Sequence, residues 1–182
     1  MGGRRLIVGL IGISIAACLP CAGDATVFHA RDEALKLAFP DADRIEPRDF
    51  YLTPEQRSEI EQRAKAPLET NLLTVYVGHR DASVIGYALL DTHTVRTLPE
   101  TFLVVLTPRG TVAATYVLAF YEPLEYLPSD RWLDQFEGKK LDDDLHVGRG
   151  IAAITGSTLS SRAVAGGIRR ALAIYEVLVG GK

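Results

Sequence analysis

Ala152-Ala153-Ile154-Thr155-Gly156-Ser157-Thr158-Leu159-Ser160-Ser161 clusters hydroxyls around one glycine, and a long apolar periodicity follows directly. Leu159, Ala163, Val164, Ile168, Ala171, Leu172, Tyr175 and Val179 recur at steps of three and four, the spacing of one helical face. Arg162, Arg169, Arg170 and Glu176 fall off that face and are expected on the solvated side. No proline interrupts the run, Gly166-Gly167 weakens it, and Gly180-Gly181 supplies a stop. The hydroxyl cluster is therefore predicted at a helix N-terminus. There the first backbone N–H groups lack intrahelical partners and the dipole favours an anion. Such an end holds phosphate. A plainer reading is that Thr155, Ser157 or Thr158 caps the helix. Ser161 stands where a capping box would need Glu or Gln.

Working outward, residues 72–77, 84–90, 101–106 and 111–121 read as strands rich in Val, Thr, Tyr and Phe. Gly78-His79-Arg80-Asp81 and Thr107-Pro108-Arg109-Gly110 read as turns. Short connections make hairpins, so the sheet is predicted antiparallel. Upstream, residues 34–39 follow Asp32-Glu33 as a helix that Pro40 ends. Thr53, Pro54, Glu55 and Gln56 open a second, mostly polar helix reaching about Lys65. Between the two helices, residues 44–52 suit a short edge strand, with Pro47 keeping it from the interior. Helices, then strands, then helices predict an α+β fold: an antiparallel sheet packed with helices and a long C-terminal helix.

The 182 residues suffice for one domain with a real core, at 47% hydrophobic and 24% charged. No basic patch suited to nucleic acid is present. Arg4-Arg5 and the apolar run that follows read as a secretory signal over residues 1–23, shorter than a transmembrane helix needs, with an uncleaved anchor as the alternative. Without those residues the net charge falls from −3 by two, since they hold two arginines and no acid. Both cysteines, Cys18 and Cys21, sit at the signal's end. Ile15-Ala16-Ala17-Cys18 resembles a lipoprotein signal that would lipidate Cys18; the alternative is ordinary cleavage near residues 22–25. The residue after Cys21 is Ala22, so a c-type haem site is not supported. The mature domain is expected to be periplasmic or extracytoplasmic.

Thr155-Gly156-Ser157-Thr158-Leu159-Ser160-Ser161 followed by Ala163-Val164 resembles the Ser/Thr-Gly-Ala-Thr-x-Ser/Thr signature of the FMN-binding domain family. That family includes periplasmic subunits of ion-translocating redox complexes and the sensor domain of nitrous-oxide regulators. Phe120-Tyr121-Glu122-Pro123 and Arg131-Trp132-Leu133-Asp134-Gln135-Phe136-Glu137-Gly138-Lys139 are similar to the segment preceding that signature. The resemblance covers about residues 72–178 and makes 72–182 an FMN-binding domain behind an N-terminal helical segment, 24–71. Ser157 stands where the family has Ala, and Ala152 where it often has Asp.

The resemblance implies FMN joined through its phosphate to Thr158, with Thr155, Gly156, Ser157, Leu159 and Ser160 around it. A separate flavin transferase, using FAD and Mg²⁺, would make the bond. This chain would be that enzyme's substrate and a redox carrier, with no catalytic or metal residues of its own. Its partners would be that transferase and a membrane or periplasmic redox protein. A covalent bond suits an exported carrier, which could not easily replace a lost flavin. Two alternatives stand beside this one: a non-catalytic FMN-binding sensor, and a structural exported domain whose hydroxyls only cap a helix.

Other candidates are weaker. Asp142-Asp143-Asp144 with His146 reads as a solvated loop, because consecutive carboxylates diverge while a metal needs convergent ones. His29, His79 and His93 lack ligand spacing. Gly148-Arg149-Gly150 lacks a dinucleotide pattern, although the loop leads into the hydroxyl stretch and could bring Arg149 near a phosphate there. Trp132 and Tyr121 are read first as core or cap aromatics and second as flavin-stacking groups.

Overall fold

The computed structural model describes residues 26–95 and 97–180. The segment expected to be a signal, with Cys18 and Cys21, lies outside them. Leu72–Arg80 (β3) and Ser83–Val95 (β4) form a hairpin through Asp81 and Ala82. Asp81 takes φ 53°, the left-handed conformation of tight antiparallel turns, and its N–H donates to Asp43 Oδ2 at 2.7 Å. Leu98–Leu106 (β5) and Val112–Phe120 (β6) continue the meander. Thr26–Val27 (β1) and Arg44–Tyr51 (β2) complete a six-stranded antiparallel sheet in the order β1-β6-β5-β4-β3-β2. Pro47 sits on the edge strand β2, where its missing N–H costs no interior bond. Residues 26–71 thus supply both edge strands of this sheet as well as two helices.

The β4–β5 hairpin is longer than its composition suggests. The sequence predicts an end at residue 90 and a restart at 101. The ladder instead runs on through Asp91↔Phe102, His93↔Glu100 and Val95↔Leu98. Asp91, His93 and Glu100 look like loop residues but partner one another, as described below.

Helices cover both faces. Arg31–Ala38 (α1) and Phe39 pack Ala34, Leu35 and Phe39 against Tyr76, Ala88, Leu103, Val105 and Leu118. The opposite face carries Pro54–Ala64 (α2), Asp130–Leu133 (α3) and Thr158–Leu178 (α4). Thr53 and Gln56 close a capping box at the start of α2, which buries Ile60 and Ala64 against the core. Thirteen of the 21 residues of α4 are buried, so α4 is a core helix rather than a half-solvated one. Ile168, Leu172, Ile174 and Leu178 each contribute about 1.5–3 kcal/mol by leaving water.

Arg170 departs from the sequence reading. It is 8% exposed and lies against the sheet instead of on a solvated face. Gly167 explains how. A Cβ there would lie 2.4 Å from Asp91 Oδ2, so the glycine lets β4's carboxylate approach the helix. Gly166 has only ordinary contacts at its Cβ position.

Candidate functional site

Thr158 is the first residue of α4, and Ser157 occupies the cap position with φ −110° and ψ 33°. No side chain caps this helix. The Ser157 hydroxyl instead turns inward and donates to the Tyr126 carbonyl. Ser161 Oγ donates back to the Ser157 carbonyl at 2.7 Å. The surplus of hydroxyls is thus partly structural. Ser157 and Ser160 are each 3% exposed, whereas Thr155, Gly156 and Thr158 are on the surface and Leu159 is 48% exposed. Gly156 takes φ 85° and has nothing within 4 Å of a Cβ position, so the backbone turn itself requires glycine. The result is an outward threonine at a helix end whose N–H groups and dipole favour an anion.

The approach to this turn is held from the side. Trp132 Nε1–H donates to the Ala152 carbonyl at 2.6 Å, and the Ala152 N–H donates to Gln135 Oε1 at 2.8 Å. Gln135 Nε2–H donates to the Trp132 carbonyl at 3.1 Å. Trp132, edge-on to Phe136 at 5.3 Å, is therefore a buried clamp for the backbone at Ala152. A groove of about 660 Å³ opens beside it, lined by Leu127, Arg131, Trp132, Gln135, Ile154 and Thr155 among others. On the inner side, Val95, Glu122, Tyr126, Gly156, Ser157 and Ser160 border a much smaller cavity. Glu122 is 9% exposed there, a carboxylate beside the positive end of α4.

A charged cluster lies under the middle of α4. Arg170 Nε and Nη2 donate to Asp91 Oδ1 and Oδ2, both at 2.7 Å. His93 Nδ1 is 2.6 Å from Asp91 Oδ2, and its Nε2 is 3.6 Å from Glu100 Oε2. Glu100 is fully buried. Burial acts to lower the His93 pKa, but the bond to Asp91 and the Glu100 carboxylate raise it to about 8. Burial likewise opposes ionisation of Asp91, and pairing with His93 and Arg170 holds it below its ordinary value all the same. Sequence reasoning missed this cluster, because its four members come from three separate elements. The only local signal is Asp91-x-His93, which puts two polar side chains on one strand face.

The remaining candidates have local roles. Asp144 Oδ1 lies 3.0 Å from His146 Nδ1, and Asp143 Oδ2 accepts the Lys140 N–H at 2.8 Å. Arg149 pairs with Asp144 at 3.5 Å.

Fold and site together define an α+β domain whose core helix presents a surface threonine at its uncapped start. NqrC of Shewanella oneidensis has this fold, with a TM-score of 0.52 over 74% of this chain and 82% of NqrC, at 15% identity. In sequence, the chain is similar to a component of the Na⁺-translocating ferredoxin:NAD⁺ oxidoreductase complex of Acetobacterium woodii. The two are 32% identical over 124 residues, 59% of this chain. The match spans 57% of that relative's length. No family model matches the chain.

Proposed function

We propose that this chain is an extracytoplasmic electron-transfer subunit that carries FMN, esterified through its phosphate to Thr158. The observation that carries the reading is the exposed Thr158 at the uncapped start of α4, behind a glycine turn. The residues present fit the group. Free N–H groups of a first helical turn suit a phosphate. The adjoining groove has the volume of small-molecule sites and apolar walls at Leu127, Trp132 and Ile154. The similarity to a component of an oxidoreductase complex supports an electron-transfer role.

When bound, FMN supplies the redox chemistry, and the chain supplies attachment, orientation and electrostatics. The first turn of α4 would offset the phosphate's charge. The Trp132–Gln135 clamp on Ala152 would fix the turn that leads to Thr158. A separate transferase would form the ester, and the wider complex would supply the donor and acceptor. Co-expression with a flavin transferase, followed by denaturing electrophoresis, tests the reading. Flavin fluorescence should stay with the wild-type band and vanish from Thr158→Ala. A wild-type band that never fluoresces would refute covalent attachment.

A further inference from the structure

Among the described residues, the outer edge of β6 is paired at its two ends and open between them. β1 pairs only with Phe120 and Ala119, and the Phe28 N–H adds a bond to the Leu118 carbonyl. At the other end Val112 exchanges bonds with Gly138 and Lys139, at 2.8 and 2.9 Å. Between them, no strand among the described residues pairs with the outer edge of residues 113–117. An unpaired strand edge is a template for another chain, and proteins usually cover or blunt it.

The surroundings of this gap have a definite chemistry. Beside it lies a groove of about 660 Å³. Leu127 and the buried Leu133 give it an apolar floor, and exposed Phe28 lines it together with Asp130, Asp134 and Glu137 of its lip. Those three acids are exposed, and no Lys or Arg lines the groove among the described residues. Leu127 and Ser129 also line the groove beside Trp132 and Thr155, so one segment walls both grooves.

We infer that the β6 edge is a docking site for an extended, basic segment of a partner protein. That segment would add as a strand between β1 and the Gly138–Lys139 bonds. Main-chain hydrogen bonds would provide affinity, and alternate side chains would meet the apolar floor and the acidic lip. Opposite charge would steer the encounter and make binding salt-sensitive. The inference stands on the strand edge and the lip, and it holds whether or not flavin is attached.

The probe is a synthetic peptide alternating Lys with Val, beside a version N-methylated on one backbone edge with the same charge. With the purified protein, the unmethylated peptide should bind and slow amide exchange within residues 113–117. N-methylation should weaken binding about tenfold or more, because the ladder bonds are lost. The triple variant Asp130→Asn/Asp134→Asn/Glu137→Gln should weaken it about tenfold at low salt. Neutralising Asp142 and Asp143 instead should leave it unchanged. Equal binding of the two peptides would overturn the inference, reducing it to charge attraction. A self-associated species by sedimentation, dissolved by Phe28→Ser, would overturn it in favour of a second copy on the edge.

Discussion

Raising the pH through about 8 should weaken this fold by way of His93. The ring sits between Asp91 and the fully buried Glu100, and its pKa is raised from 6.5 to about 8. A proton held more tightly in the folded state stabilises that state. This contribution is fully present below pH 6.5 and is lost as the pH rises through about 8. The difference between the two values corresponds to about 2 kcal/mol. When the proton leaves, Glu100 faces a neutral ring inside the core. The assay is urea unfolding of wild type and His93→Gln at pH 6 and pH 9. Between the two pH values the wild type should lose about 2 kcal/mol more than the variant. That double difference cancels the other titrating groups. Equal losses in the two proteins, or a ring titrating at or below 6.5 by NMR, would refute the reasoning.

Other expectations concern the same scaffold, each read by urea or thermal unfolding of the flavin-free protein. Gly166→Ala should stabilise by up to about 1 kcal/mol through helix propensity, whereas Gly167→Ala should destabilise, since its Cβ would meet the Asp91 carboxylate at 2.4 Å. Asp91→Asn should cost about 3–5 kcal/mol, because it strands the buried Arg170 guanidinium. Thr53→Ala should cost about 1 kcal/mol by breaking the capping box, while Thr158→Ala should stay within about 0.5 kcal/mol because no cap is lost.

The long helix and its start were legible because period and punctuation agree: apolar steps of three and four, then a glycine stop. The β5–β6 hairpin was legible from β-branched runs and turn residues and Pro47 marked β2 as an edge, whereas Gly78, His79 and Arg80, read as a turn, belong to β3 and the chain reverses at Asp81-Ala82. Arg170 was not legible. A helical wheel places it off the apolar stripe, and nothing local reveals that β4 brings a carboxylate to meet it. For the same reason β4 and β5 appeared too short, since half-buried Asp91 and buried His93 and Glu100 imitate a polar loop. Around the site, sequence showed that hydroxyls cluster but not how they divide. Ser157 and Ser161 serve inward bonds, and Thr158 is left facing out.

The central claim is that outward threonine. Its most direct test is peptide mass spectrometry of the protein exported together with a flavin transferase. The account predicts the mass of an FMN phosphoester on the peptide containing Thr158, fragment ions placing it on that residue, and no adduct in Thr158→Ala. An adduct mapped to Thr155, Ser157 or Ser160, or one that persists in Thr158→Ala, would contradict it.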